Sequence, residues 1–419
     1  MKKYEELSGF LSLKPNEQAE FDRLKQIIKN AHLKNGFKTY DAPLMFREDA
    51  LLAKSGGDTN KQVYRLEKGD AKLAIRFDLT VPLALFVANN ERELAFPLKI
   101  SQINKVYRGE KTQKGRLREF YQCDADVIAR GDLPLEYDAE CIALADTICS
   151  ELLTDRADFT IRVANRRLLN GFLESLGLTT ENALRVRAVI DDAEKISAAD
   201  FAKELEKCGT TNEQFQKIKD FIELKGDNQA VLASLSALNI TTDEFAAGLA
   251  ELKTVMQNLA LRGVKNAQID LAIVRGLDYY TGTVFETNIS GFENYGSIMS
   301  GGRYDNLVAN YSDAKFEGVG ASIGLSRLYE VLVATKITEI KPSGVDILFV
   351  PITNDAKTYE FCFTQATKEQ KSGRTTDILF SDRSLSKKLE YAAKSAAKSA
   401  AVIGETELAS GKYTAKPLR

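Results

Sequence analysis

The chain is 419 residues long, enough for two or three domains of roughly 150 residues each. Its 44% hydrophobic and 28% charged residues suit a globular protein and exclude a disordered or collagen-like chain. With 57 Lys/Arg against 59 Asp/Glu, the net charge of −2 provides no overall steering toward nucleic acid.

No apolar run approaches the roughly 18 residues of a membrane span. Glu5 and Glu6 fall where a signal peptide needs apolar residues. The expectation is a cytoplasmic protein without membrane contact. Five cysteines, none in a CxxC pair, are expected as free thiols of a reducing compartment. There is one histidine, His32, which removes His-dependent triads and His-ligated zinc sites together. His32 lies in the amphipathic run KQIIKNAHLKNGF, where a helix-surface position is expected. Catalysis, if there is any, falls to carboxylates, arginines, backbone and bound ions, and no protein metal site is expected.

The spacing of Phe21, Leu24, Ile27, Ile28 and Ala31 predicts a helix over 17–36. KQVYRLEKGDAKLAIRFDLT alternates around Lys68-Gly69-Asp70 and predicts a hairpin. A helix is expected over 80–95. LKISQINKVYRGE and LREFYQCDADVIA then read as two strands joined by the basic loop Lys111–Arg116, and 136–153 as a helix. From about 177 to 262 strand patterning vanishes, which predicts an all-helical insertion. Period two returns in IDLAIVRGLDYYTGTVFETNI. SIMSGGRYDNLV follows, and GVGASIGLSRLYEVLVATKI reads as a Gly-rich strand entering an apolar helix. After a linker at 340–344, the remainder alternates as β-α-β-α-β, a small α/β module. That module carries 12 Lys/Arg against 9 Asp/Glu.

Three constellations carry chemistry. In VYRGE and REFYQCDAD, period two places Arg108 with Glu110 on one strand face, and Phe120, Gln122, Asp124 and Asp126 on its partner. Such a surface suits an anionic ligand with a flat ring and amino groups, although a polar-outside edge hairpin reads the same way. In IVRGLDYYTG, Arg275, Leu277 and Tyr279 alternate with Gly276, Asp278 and Tyr280; exposed tyrosines on a hairpin are the plain alternative. In GASIGLSRL, Arg327 falls in the first turn of the predicted helix, beside closely approachable glycine backbone. Asp78 and Thr80 in RFDLTVP, one strand step apart, add a further ligand pair.

Together and in this order these segments resemble the class II aminoacyl-tRNA synthetases, and within them the histidyl-tRNA synthetase family. FKTYDAP looks like motif 1, VYRGEKTQKGRLREFYQCD like motif 2 and GASIGLSRL like motif 3. IVRGLDYYTGTVFE with GGRYDNLV is similar to the histidine-specific boxes. The resemblance implies an α+β catalytic domain on an antiparallel sheet, in two parts (1–176 and 263–340). It implies an all-helical insertion over 177–262 and a C-terminal α/β anticodon-binding domain over 345–419.

The implied reaction joins histidine and ATP into histidyl-adenylate, then moves the histidyl group to the 3′ end of tRNA(His). Mg²⁺ is carried with ATP. The resemblance gives Arg108 the α-phosphate, Glu110 the adenine amino group, Phe120 the adenine ring and Arg327 the γ-phosphate. Arg275 lies against the α-phosphate and, with Tyr279, borders the histidine. Asp78, Thr80 and Gln122 take the α-amino group, Asp126 and Tyr280 the two imidazole nitrogens, and Tyr304 closes the pocket. The basic loop Lys111–Arg116 reaches the tRNA acceptor end. Pro43 belongs to a homodimer interface, and Ser326 stands where the family usually carries an acid. A histidine-binding regulatory paralogue is the rival reading, disfavoured by the retained arginines and C-terminal module.

Overall fold

The computed structural model describes residues 5–52, 57–112, 115–153, 155–274, 280–305 and 308–418. The chain folds as two compact units, Met1–Ser12 with Arg23–Thr338 and Leu13–Asp22 with Glu339–Arg419. Among the described residues no helix is long and apolar enough to cross a membrane. All five cysteines are free and buried.

In the helix Pro15–Lys34, Leu24, Ile28 and Ala31 are buried at three- and four-residue spacing. His32, four residues after Ile28, lies on that same inner face and not on the expected surface. It is 1% exposed, with Nδ1 2.8 Å from Ser101 Oγ. β1 (Lys38–Thr39) and β2 (Met45–Arg47) follow. β3 (Arg65–Lys68) and β4 (Ala71–Ile75) form the expected hairpin around Gly69, and β2 joins β4 to complete a three-stranded antiparallel sheet.

β4 ends at Ile75, so Asp78 and Thr80 do not share a strand as expected. Asp78 Oδ1 instead accepts from Val81 N at 3.1 Å, where the helix Thr80–Asn90 begins. β5 (Leu98–Tyr107) and β6 (Glu119–Arg130) make a long antiparallel pair. β5 stops short of Arg108 and Glu110, which were expected on the strand. Gly109 N turns to Gln62 O at 2.7 Å, and this carries the chain out of the ladder. The helix Glu136–Leu153 forms where expected.

β7 (Phe159–Asn165) and the helix Arg166–Ser175 lead into five helices between Thr180 and Leu261, without a strand among the described residues. Thr179, Ser197, Thr211, Asp227 and Thr242 each cap one of these helices with a side-chain oxygen. The last of them, Asp243–Leu261, crosses Arg166–Ser175 at two glycines. A Cβ at Gly171 would lie 2.1 Å from Phe245 N, and one at Gly248 would lie 2.2 Å from Leu168 N.

β8 (Ala267–Ile269), β9 (Thr283–Ile289), β10 (Met299–Tyr304) and β11 (Phe316–Gly324) complete the main sheet. Its order is β1-β5-β6-β11-β10-β9-β7-β8, antiparallel except at the two edge pairs. The helix Glu136–Leu153 packs on one face. There Arg303 on β10 meets fully buried Asp138 (Nη2 to Oδ1, 2.8 Å) and Glu317 (Nη1 to Oε2, 3.1 Å). In the second unit β12 (Ile347–Pro351), β13 (Thr376–Ile378) and β14 (Ser399–Ile403) are parallel, in the order β13-β12-β14, with the expected intervening helices. β15 (Lys416–Pro417) adds to β14 antiparallel.

Candidate active site

β11 supplies the floor of the site. Its register sets Gln122 opposite Gly324, Asp124 opposite Ser322 and Asp126 opposite Gly320. Period two thus puts Gln122, Asp124 and Asp126 on one face beside two glycines and a serine. The glycines make room for functional side chains. A Cβ at Gly320 would lie 2.2 Å from Asp126 Oδ1, one at Gly318 2.3 Å from Tyr304 Cε2, and one at Gly302 3.0 Å from Tyr280 Cδ1. A strand rich in glycine here gives its space to neighbouring strands.

Above this floor is a cavity of about 450 Å³. Asp78, Thr80, Arg108, Glu110, Phe120, Gln122, Asp126, Tyr280, Tyr304 and Arg327 all line it. They come from the β4 exit, the motif 2 hairpin, the approach to β9, β10 and the helix Leu325–Ala334, elements far apart in the chain. Arg275 and Tyr279 lie outside the described residues. The cavity is also lined by Asp124, Asp191, Glu286 and Ser322, to which the sequence reading gave no role. Period two hints at Asp124, but nothing in the sequence pairs it with Ser322. Asp191 comes from the first helix of the insertion, and no local pattern marks it.

The two ends differ in charge. At one end, Asp78, Asp124 and Asp126 are at most 3% exposed. Burial lifts Asp78 to about 6, and burial with repulsion from neighbouring carboxylates, Asp126 and Asp78 on Asp124 and Asp78 on Asp126, lifts Asp124 and Asp126 well above the usual carboxylate range. Tyr304 Oη donates to Asp126 Oδ1 at 2.8 Å. Asp78 Oδ2 and Gln122 Oε1 are buried acceptors without a protein partner. This end is built for a positively charged donor group.

Arginines occupy the other end. Arg108 donates from Nε to Phe77 O at 3.0 Å, and its guanidinium carbon lies 5.2 Å from the Phe120 ring centre. Arg327 donates to Gly115 O at 2.9 Å and to Ser297 O at 2.8 Å, joining the helix to the motif 2 loop. Arg116 approaches Glu110 at 3.9 Å. Ser326 does not line the cavity. It is buried and accepts from Tyr121 N at 3.0 Å, fastening the helix to β6. The cleft therefore fits a molecule with an ammonium at one end and a polyphosphate with a stackable ring at the other.

A family model described as histidyl-tRNA synthetase matches residues 9–328. The chain belongs to the histidyl-tRNA synthetase family. A histidine–tRNA ligase of Clostridium tetani is 41% identical over 414 residues, covering 98% of this chain and 93% of the relative. That of Clostridium acetobutylicum is 41% identical over 416 residues, covering 98% and 95%. The crystal structure of a histidyl-tRNA synthetase from a Nostoc species superimposes with a TM-score of 0.87 at 34% identity, covering 100% of this chain and 97% of that one. The α+β sheet with its helical insertion is thus a class II synthetase fold.

Proposed function

We propose that this cleft carries out both half-reactions of a histidine–tRNA ligase with the residue roles that follow. The chain is an aminoacyl-tRNA ligase that activates histidine with ATP and transfers the histidyl group to tRNA. The observation that carries the residue assignment is convergence: ten side chains singled out from the sequence line one cavity. Asp78 Oδ2 and Gln122 Oε1, unpartnered acceptors, take the substrate ammonium with help from Thr80. Asp126, held by Tyr304, and Tyr280 address the two imidazole nitrogens, which selects a ring with two polar nitrogens at that separation. Phe120 stacks on adenine and Glu110 accepts from its amino group. Arg108 takes the α-phosphate and Arg327 the γ-phosphate, each exchanging backbone carbonyls for phosphate oxygens. Arg275, outside the described residues, keeps its proposed place at the α-phosphate and, with Tyr279, beside the histidine.

In the first step the histidine carboxylate, already ionised at pH 7, attacks the α-phosphorus, and the bond to the pyrophosphate oxygen breaks. The protein needs to supply positioning and charge for this step, without a general base. In the second, a hydroxyl at the tRNA 3′ end attacks the acyl carbon, the bond from that carbon to the phosphate oxygen breaks, and AMP leaves with the hydroxyl proton released. Mg²⁺ enters with ATP, carried on phosphate oxygens. The basic loop 111–116 serves the acceptor end and the 345–419 module the anticodon of tRNA(His). A cytoplasmic homodimer through the Pro43 region is part of the reading. It is supported by Leu44 and Met45, 40% and 50% exposed beside that proline.

The test is amino-acid-dependent ATP–pyrophosphate exchange with each of the twenty amino acids. Histidine alone is expected to support exchange. Silence with histidine, or exchange driven by another amino acid, would overturn the assignment.

A further inference from the structure

Gln122 can serve an ammonium only if its carbonyl oxygen, and not its amide nitrogen, faces the substrate. The two ends of a carboxamide are nearly identical in shape, so its orientation is set by its hydrogen-bond partners. In this chain those partners form a line across the paired strands β6 and β11. Gln122 Nε2 donates to Ser322 Oγ at 3.0 Å, and Ser322 Oγ donates to Asp124 Oδ1 at 2.5 Å. All three side chains line the cavity, and Gln122 Oε1 has no protein partner.

We propose that Asp124 is a positioning residue for substrate recognition, acting through Ser322 to fix the polarity of the Gln122 amide. In the ionised form, which the bond from Ser322 and an arriving ammonium both favour, the Asp124 carboxylate only accepts, so it claims the single proton of the Ser322 hydroxyl. The hydroxyl is left with lone pairs only, and these accept from the Gln122 NH₂ group. The carbonyl oxygen must then face the substrate. The polarity of one carboxylate is in this way carried over two side chains to the acceptor that the ammonium meets, and each bond in the line strengthens the next. Burial, with repulsion by Asp126 and Asp78, opposes the Asp124 charge, while the Ser322 hydroxyl and Arg108 favour it; an arriving ammonium favours it further. Ser322 can act as the relay because its hydroxyl both donates and accepts at one atom.

This inference rests on the histidine-binding role of Gln122 given above. The experiment therefore starts with unmodified enzyme, whose histidine-dependent exchange tests that reading independently. Asp124→Asn and Ser322→Ala are then compared with it. Two ligands are used: histidine, and imidazolepropionate, which is histidine without the ammonium and competes for the same pocket. Each variant is expected to raise the histidine KM about tenfold to a hundredfold, as for a lost hydrogen bond to a charged group. The inhibition constant of imidazolepropionate and the KM for ATP should move less than about twofold, within measurement of such contacts. The double variant should be no weaker than the weaker single variant, since both cut one line. Equal loss for both ligands would show that the pair merely packs the pocket. An unchanged histidine KM in both variants would show that Gln122 is oriented without them. Should Asp124→Asn fail to fold, Ser322→Ala, which removes one oxygen from a half-buried side chain, decides alone.

Discussion

Gly320→Ala places one methyl group against the carboxylate assigned to the imidazole. The new Cβ would lie 2.2 Å from Asp126 Oδ1 and 2.9 Å from its Cγ, where ordinary contact begins at 3.4 Å. The carboxylate must therefore retreat by about 1.2 Å, the difference between those distances. Tyr304 cannot simply follow. Its ring fills the space over Gly318, and its hydroxyl already bonds Asp126 at 2.8 Å. One hydrogen bond to a charged group is lost or mispositioned, worth about 1.5–3 kcal/mol, or about tenfold to a hundredfold in the histidine kcat/KM. Overpacking of this size costs about 1–3 kcal/mol of stability, so the protein stays folded. Histidine-dependent pyrophosphate exchange, titrated with histidine at saturating ATP and with ATP at saturating histidine, separates the two substrates. The ATP KM is expected to hold. A folded Gly320→Ala enzyme with a normal histidine KM would refute the claim that this glycine exists to seat Asp126.

Two further expectations concern stability. Arg303→Met strands fully buried Asp138, which ionised would cost about 3–5 kcal/mol; Glu317 keeps Lys315, so Arg303→Met with Asp138→Leu leaves no fully buried charge unpaired and should recover most of that. Urea unfolding of wild type, single and double variants checks this; a double variant less stable than the arginine variant alone would contradict it. His32 is buried, and desolvation lowers it from 6.5 to about 4. The unfolded chain therefore binds the proton first. The stabilisation is intact above 6.5 and is lost as pH falls from 6.5 through about 4, reaching about 3 kcal/mol in all. The difference in unfolding free energy between wild type and His32→Leu, followed from pH 7 to pH 4, should show that slope; parallel curves would count against it.

The helices and hairpins that the sequence announced most clearly were those whose own residues carry the period. Glu136–Leu153 and the motif 2 hairpin formed as their patterns required. The α/β module did so too, since alternating strand and helix signals are local. What remained hidden depended on partners distant in the chain. His32 looked like a surface residue because its helix has a broad inner face, and only the arrival of Ser101 from β5 makes that position interior. Asp78 and Thr80 looked like strand neighbours until the start of a helix separated them. The Asp124–Ser322 pair needs the β6–β11 register, which no single segment encodes. Arg108 and Glu110 reached the cavity despite leaving the strand, because the bond from Gly109 N to Gln62 O guides them there.

The crossing at Gly171 and Gly248 has a practical consequence for anyone who would exchange this helical arm with that of a relative. Two backbones in direct touch cannot be parted and rejoined without matching them atom for atom, so Asp243–Leu261 has to travel with the body it leans on. The natural seam for grafting lies before Thr242. The four preceding helices also touch the body, through Phe221 stacked on Phe172 and Asn228 bonded to Ala267 and Ile269, so a graft has to keep those partners, and it brings Asp191 to the recipient's cleft.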